Sequence, residues 1–132
     1  MTKEIEEFLK AEAFGVVGAS SDRSKFGNRV LRCYQEHGLT AVPVNPKEKE
    51  IEGTPCVATV ADLPGNVSSI SIITPPQVTE RVVEQAAAKG IRNVWMQPGA
   101  ESPRAVAFCR ENGINVIADG SCILVVLGYR EH

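Results

Sequence analysis

Histidine is almost missing from this sequence: His37 and His132 are the only two in 132 residues. Catalysis that shuttles protons through imidazole, and metal centres built on histidine, therefore have little to work with. The four cysteines, Cys33, Cys56, Cys109 and Cys122, are scattered. They form no Cys-x-x-Cys pair and no Cys/His run at zinc-ligand spacing, which excludes a zinc site of the common kinds. They read as reduced thiols of a cytoplasmic protein. No apolar run approaches the roughly 20 residues of a membrane-spanning helix, and the strongest, "CILVVLG", is far too short. The charged opening "MTKEIEEFLK" is not a signal peptide, so Asn66-Val67-Ser68 matches a glycosylation acceptor by accident. Nor is there a surplus of positive charge: the formal charge of −2 at pH 7 argues against a nucleic-acid partner. No repeat, low-complexity tract or linker interrupts the chain, and its length is that of one domain over residues 1–132.

What is present is an alternation of short apolar runs with longer amphipathic ones, the pattern of an α/β chain. The runs "FGVVG" (14–18), "TAVPVN" (40–45), "SISII" (69–73), "NVWM" (93–96) and "NVIA" (115–118) predict strands. Their continuous hydrophobicity suits an open parallel sheet of about five strands, buried by helices on both faces. The helices fall at 28–36, 77–89 and 103–111, each followed by glycine (Gly38, Gly90, Gly113), which takes the left-handed closing conformation without steric penalty. Thr74-Pro75-Pro76 and Ser102-Pro103 start the second and third of them. A short amphipathic helix is expected over 4–10. The segment "PKEKEIEGTPCVATVADLP" (46–64) replaces a crossover helix with a turn, an apolar piece around 55–57 and one helical turn near 60–63. Beyond Asp119, "GSCILVVLG" reads equally as a strand or a helical turn.

Between the first strand and first helix lies "GASSDRSKFG" (18–27). A glycine loop there brings backbone N–H groups and a helix N-terminus onto an anion, most often phosphate. The spacing is not that of a dinucleotide fingerprint: eight residues separate Gly18 from Gly27, and Asn45-Pro46 stands where an acid would grip a ribose diol. The insert supplies hydroxyls from Ser20 and Ser21 and positive charge from Arg23 and Lys25, which suits a ligand richer in phosphate than NAD. NADPH and coenzyme A both satisfy that demand; a merely solvated loop is the plain alternative. The strand ends form a rim of proline, glycine and small polar groups, able to make backbone hydrogen bonds and flat apolar contacts but poor in proton-transfer chemistry.

The stretches "VVGASSDRSKFGNRV", "VPVNPKEKEIEGTPCVATVADLP", "ITPPQVTERVVEQAAAKGIRNVWMQPGAES" and "NGINVIADGSC" together resemble the small stand-alone CoA-binding domain proteins, similar to the N-terminal domain of the succinyl-CoA synthetase alpha subunit. The likeness runs over residues 14–122. It implies a Rossmann-like CoA-binding fold whose ligand is coenzyme A or an acyl-CoA. Carried onto this sequence, Gly18, Ala19, Ser20, Arg23 and Lys25, with Gly27 at the helix start, would face the phosphates. Val44, Asn45 and Pro46 would border the adenosine. Thr74, Pro75, Pro76, Met96, Gln97 and Gly99 would border the pyrophosphate or pantetheine path. The sequence departs from the family at "DGSC", where members often place an arginine before the cysteine matching Cys122.

The synthetases work through a phosphohistidine in a further domain, and no catalytic residue is expected here. His37 sits at a helix end, where imidazole meets exposed carbonyls, and His132 is the last residue. Ser20 lacks the Gly-x-Ser-x-Gly context of a nucleophile elbow, and Asp119 suits a turn better than a general base. Cys33 and Cys109 read as core, and Trp95 as packing. The expectation is a non-catalytic binder of coenzyme A or acyl-CoA acting as carrier, sensor or partner subunit, with a homo-oligomer or protein partner left open. The alternatives are a small NADP-dependent oxidoreductase and a thiol redox switch at Cys122.

Overall fold

The computed structural model describes residues 1–130, so the reading of His132 lies outside the described residues. In chain order the elements are α1 (Lys3–Leu9), β1 (Ala13–Val17), α2 (Phe26–Glu36), β2 (Ala41–Val44), β3 (Glu50–Ile51), β4 (Thr54–Pro55), a 3₁₀ turn (Val60–Asp62), β5 (Val67–Ile72), α3 (Pro76–Lys89), β6 (Asn93–Met96), α4 (Pro103–Glu111), β7 (Asn115–Ile117) and α5 (Ile123–Leu127). Five strands form one sheet in the order β2-β1-β5-β6-β7. Every neighbouring pair is parallel, with Val17 opposite both Val44 and Ile72, and Ile72 opposite Met96. The fold is the open parallel α/β sheet that the alternation predicts, in the Rossmann-like arrangement that the resemblance implies.

Strand residues alternate between two cores, as the twofold repeat of a strand requires. Ala13 and Val17 of β1 and Val94 and Met96 of β6 face α3, α4 and the 3₁₀ turn, packing with Val83, Ala86, Ala105 and Cys109. Phe14, Val16 and Trp95 face α1, α2 and α5, packing with Phe8, Leu31, Tyr34 and Ile123. Trp95 meets the edge of Phe8 at 5.3 Å between ring centroids, and its indole N–H donates to the Ser121 carbonyl at 3.0 Å, so its one polar group is satisfied. Tyr34 and Ser71 share a hydrogen bond of 2.6 Å under the sheet; burial pushes the phenol far above its ordinary range, so it serves as a neutral strut.

The sequence boundaries shift by a residue or two. Helix α2 starts at Phe26 rather than Asn28, with Lys25 as its N-cap. Thr74 does not cap α3: Pro75 holds the N-cap position without a side-chain bond, and Pro76 opens the helix. Ser102 does cap α4, accepting from the Ala105 N–H at 3.2 Å. The residues following Asp119 resolve as helix α5. The segment after β2 folds into the small β3–β4 hairpin, followed by a 3₁₀ turn whose Thr59 and Asp62 cap one another reciprocally. The hairpin is tied back to β2: Val57 N–H donates to the Pro43 carbonyl at 3.0 Å, and Asn45 N–H to the Val57 carbonyl at 2.9 Å.

Candidate functional site

The chain adds β2 on one side of β1 and β5 on the other, so the connections leaving β1 and β5 run to opposite faces and part above the strand ends. A cleft of about 510 Å³ opens there, floored by Gly18, Ala19, Ser20 and Gly27 and walled by Lys25, Phe26, Asn45, Ile73, Thr74 and Pro75. A second cleft of about 250 Å³ shares Ile73, Thr74 and Pro75 and continues to Pro98, Gly99 and Ala100. The two form one furrow along the carboxyl edge of the sheet.

Two glycines explain the unusual spacing. Gly18 turns the chain out of β1 at φ +96, and a Cβ there would lie 2.2 Å from the Ile73 carbonyl oxygen. A Cβ on Gly27 would lie 2.1 Å from the carbonyl oxygen of Gly18. The start of α2 therefore presses directly on the end of β1, and the intervening eight residues loop outward over this contact instead of tightening it. Among the described residues, no protein acceptor takes the N–H of Ala19, Phe26 or Gly27, which leaves these donors at the furrow floor.

The loop is held from beneath. Asn28 is fully buried, and its amide donates to the Ser20 carbonyl at 2.8 Å and to Glu52 Oε2 at 3.1 Å. Its Oδ1 accepts from Arg32 Nε at 2.7 Å, and Arg32 Nη2 donates to the Arg23 carbonyl at 2.9 Å. Asn45 donates to the Ala19 carbonyl at 2.8 Å while its Oδ1 accepts from the Lys47 N–H at 2.8 Å. The carbonyls of Ala19, Ser20 and Arg23 are thus taken up by side-chain amide and guanidinium donors of the protein itself. At the tip, Asp22 accepts from Ser24 through both hydroxyl and N–H, at 2.7 and 2.9 Å; these bonds hold its carboxyl below the usual range. Lys25 lines the furrow and makes no ion pair among the described residues, whereas Arg23 lies 3.5 Å from Glu52.

Of the residues singled out from sequence, Gly18, Ala19, Ser20, Lys25, Gly27, Asn45, Thr74, Pro75 and Gly99 line the furrow. Arg23 stands at the loop tip, outside the lining. Met96 departs from the reading as a ligand neighbour: its side chain is 0% exposed and packs in the core with Val94 and Ile72. An even position on β6 points to the α3 face, which strand register decides and proximity to the strand end does not. Val44 is likewise core, and Gln97 is buried with its Oε1 accepting from the Ile123 N–H at 2.9 Å. Pro46 and Pro76 are exposed but lie outside the furrow. Phe26, Ile73, Pro98 and Ala100 line it and were missed; Phe26 stands beside Gly27, and Pro98 and Ala100 flank Gly99, where the glycine carries the turn signal.

The reactive candidates are differently disposed. Burial pushes the Cys33 thiol up to about 12 and Cys109 to about 11. Cys56 is half-buried and raised by the same cause. Cys122 is half-buried at the start of α5, which rests on the end of β6 through the Gln97 contact. Ser121 lowers the Asp119 pKa, first through its side chain and then through its N–H, which donates to Asp119 at 3.0 Å, and this makes Asp119 a turn residue. The His37 ring donates to the Leu127 carbonyl. Among the described residues no cluster of His, Cys, Asp and Glu could hold a metal, and no helix is long and apolar enough to cross a membrane.

The architecture defines an α/β ligand-binding class in which the crevice lies at the point where strand order reverses. Residues 12–128 match the family model for the CoA binding domain, and the chain belongs to that family. It is similar to an ADP-forming acetate–CoA ligase I of Archaeoglobus fulgidus, 31% identical over 87 residues, which cover 66% of this chain and 13% of that protein. It is also similar to YneT of Bacillus subtilis, 27% identical over 123 residues and 90% of that protein's length. The chain thus spans a small fraction of the ligases and nearly all of the short relative. Among solved structures, a Pyrococcus horikoshii protein superposes with a TM-score of 0.88 at 30% identity, covering 95% of this chain and 89% of that one. A dinucleotide-forming acetyl-coenzyme A synthetase from Ca. Korarchaeum cryptofilum, in complex with phosphate and ADP, superposes with a TM-score of 0.77 at 27% identity, covering 86% of this chain and 27% of that one.

Proposed function

We propose that the chain is a non-catalytic, single-domain binder of coenzyme A or an acyl-CoA, working in the cytoplasm as a carrier, sensor or partner subunit. The observation that carries this reading is the furrow floor, where Gly18 and Gly27 leave room for no side chain and expose backbone donors beside Lys25. The ligand's pyrophosphate sits on residues 18–27, its adenosine lies toward Asn45, and its pantetheine chain runs past Thr74 and Pro75 to Gly99. Backbone N–H groups and cationic side chains bind the charge; the prolines supply flat apolar contact.

Isothermal titration with coenzyme A, acetyl-CoA, NADPH and NAD tests the reading. Coenzyme A species are expected to bind, and Arg23→Ala/Lys25→Ala to weaken them about tenfold or more, since charge-assisted bonds contribute roughly 1.5–3 kcal/mol each. Preference for NADPH, with hydride transfer to a carbonyl substrate, would replace this reading with the oxidoreductase one.

A second reading is favoured by the contrast among the thiols: Cys33 and Cys109 are fully buried, Cys56 and Cys122 are half-buried, and of these two burial raises the Cys56 thiol while Cys122 opens α5 beside the end of β6. In it the Cys122 thiolate attacks the disulfide of oxidised coenzyme A, forming a protein–CoA disulfide and releasing one coenzyme A thiolate, with no other oxidant consumed. Mass spectrometry after incubation with oxidised coenzyme A is expected to find one adduct, absent from Cys122→Ser; an adduct that survives the substitution defeats the idea.

A further inference from the structure

Glu52 breaks a local rule. It opens the tip of the β3–β4 hairpin at φ +49, and Gly53 follows at φ +78. A two-residue turn with both positions left-handed favours Asn, Asp or Gly at the first, and a longer side chain is disfavoured there. The turn gives no reason for glutamate, but its distant contacts do. Glu52 Oε2 accepts from the buried Asn28 amide at 3.1 Å and lies 3.5 Å from Arg23 Nε, and the Glu52 carbonyl accepts from Gln35 Nε2 at 3.2 Å. An unfavourable backbone conformation kept for a contact across 29 residues points to a role at the loop.

A second carboxylate from the same segment behaves alike. Glu48 Oε1 accepts from the Ser21 hydroxyl at 3.1 Å, and the Glu48 N–H is steered by Asn45 Oδ1 at 3.3 Å. Two loop groups suited to phosphate, the Ser21 hydroxyl and the Arg23 guanidinium, are therefore held by carboxylates, the side chains nearest to phosphate in charge and acceptor geometry. Lys25, which lines the furrow, is not held in this way.

We propose that Glu52 is a specificity-determining residue that keeps Arg23 in reserve, so that a ligand phosphate must displace the Glu52 carboxylate before the loop's second cation engages it. Ligands with a multiply charged phosphate group draw Arg23 across. Those with a single weak charge bind through Lys25 and the backbone alone. This rests on the coenzyme A reading of the loop.

The test is titration of the wild type, Glu52→Gln, Arg23→Ala and the double variant with coenzyme A and, separately, with inorganic pyrophosphate. Glutamine keeps an oxygen for Asn28 and removes the charge. Glu52→Gln is expected to bind coenzyme A about twofold to fivefold more tightly, the range an exposed ion pair can impose, and the gain is expected to vanish when Arg23 is alanine. Unchanged or weaker binding, or an equal gain without Arg23, overturns the reserve. A gain with pyrophosphate and no binding of coenzyme A overturns the coenzyme A reading and supports the reserve. Coenzyme A binding without a gain on either ligand does the reverse, and silence from all four proteins toward both ligands overturns both. Should Glu52→Gln melt well below the wild type, Glu52→Gly removes the carboxylate, suits the left-handed turn and carries the same expectation.

Discussion

Gly27→Ala is expected to destabilise the protein by about 3 kcal/mol or more, lowering the melting temperature by roughly 10 °C, and to abolish coenzyme A binding. Gly27 is the second residue of α2, so local propensity alone predicts the opposite sign: alanine exceeds glycine in a helix by about 1 kcal/mol. The new Cβ would sit 2.1 Å from the Gly18 carbonyl oxygen and 3.2 Å from Ala19 Cα. Both are backbone atoms, so no side-chain rotation relieves the clash and the helix itself must move. Movement of α2 spreads the furrow floor from below. Gly38→Ala is the matched control, because its φ is +68 but nothing lies within 4 Å of the added carbon; it carries the left-handed strain of about 1–2 kcal/mol and leaves ligand binding intact. Thermal melts and titrations of the two variants check the claim, and a Gly27→Ala protein as stable as the wild type would show that α2 does not press on β1.

Asn28→Ala is expected to lose about 2–4 kcal/mol of stability and to weaken coenzyme A by more than either loop cation alone. The side chain is completely buried and completes three hydrogen bonds at once, to Ser20, Glu52 and Arg32. Its removal withdraws the donor to the Ser20 carbonyl and the acceptor that faces the buried Arg32 Nε. Arg32 is 7% exposed as a residue, and a charge so placed is sensitive to the loss of any one acceptor. The consequence for binding follows from geometry: a carbonyl freed to rotate into the furrow repels phosphate. Hydrogen exchange of residues 18–25, measured beside the titration, separates a loosened loop from global destabilisation. Exchange as slow as in the wild type would contradict the assigned role.

The sheet was legible because parallel strands buried on both faces must be short and continuously apolar, as "FGVVG" and "NVWM" are. Helix ends were legible because left-handed closure selects glycine: Gly90 caps α3 at φ +87, and Gly38 and Gly113 follow the caps of α2 and α4 at φ +68 and +69. The furrow floor was legible at Gly18 and Gly27 for the same steric reason. Phe26 and Ile73 were not, since an apolar residue beside a turn carries no sign of whether it faces a ligand or a core. Met96 was misjudged on distance along the strand, when the parity of its position sends its side chain under α3.

Composition and local pattern by themselves determined the class of fold, the order of its elements and the position of the phosphate-suited loop, because burial, helix closure and loop chemistry act over a few residues. Only the tertiary structure decided that Gly18 and Gly27 meet, that Asn28 and Arg32 support the loop from within, and that Glu52 reaches Arg23. Those contacts join groups whose separation in the chain carries no periodic signal. They exist because β1, α2 and the hairpin after β2 converge at one edge of the sheet, where the connections part to opposite faces.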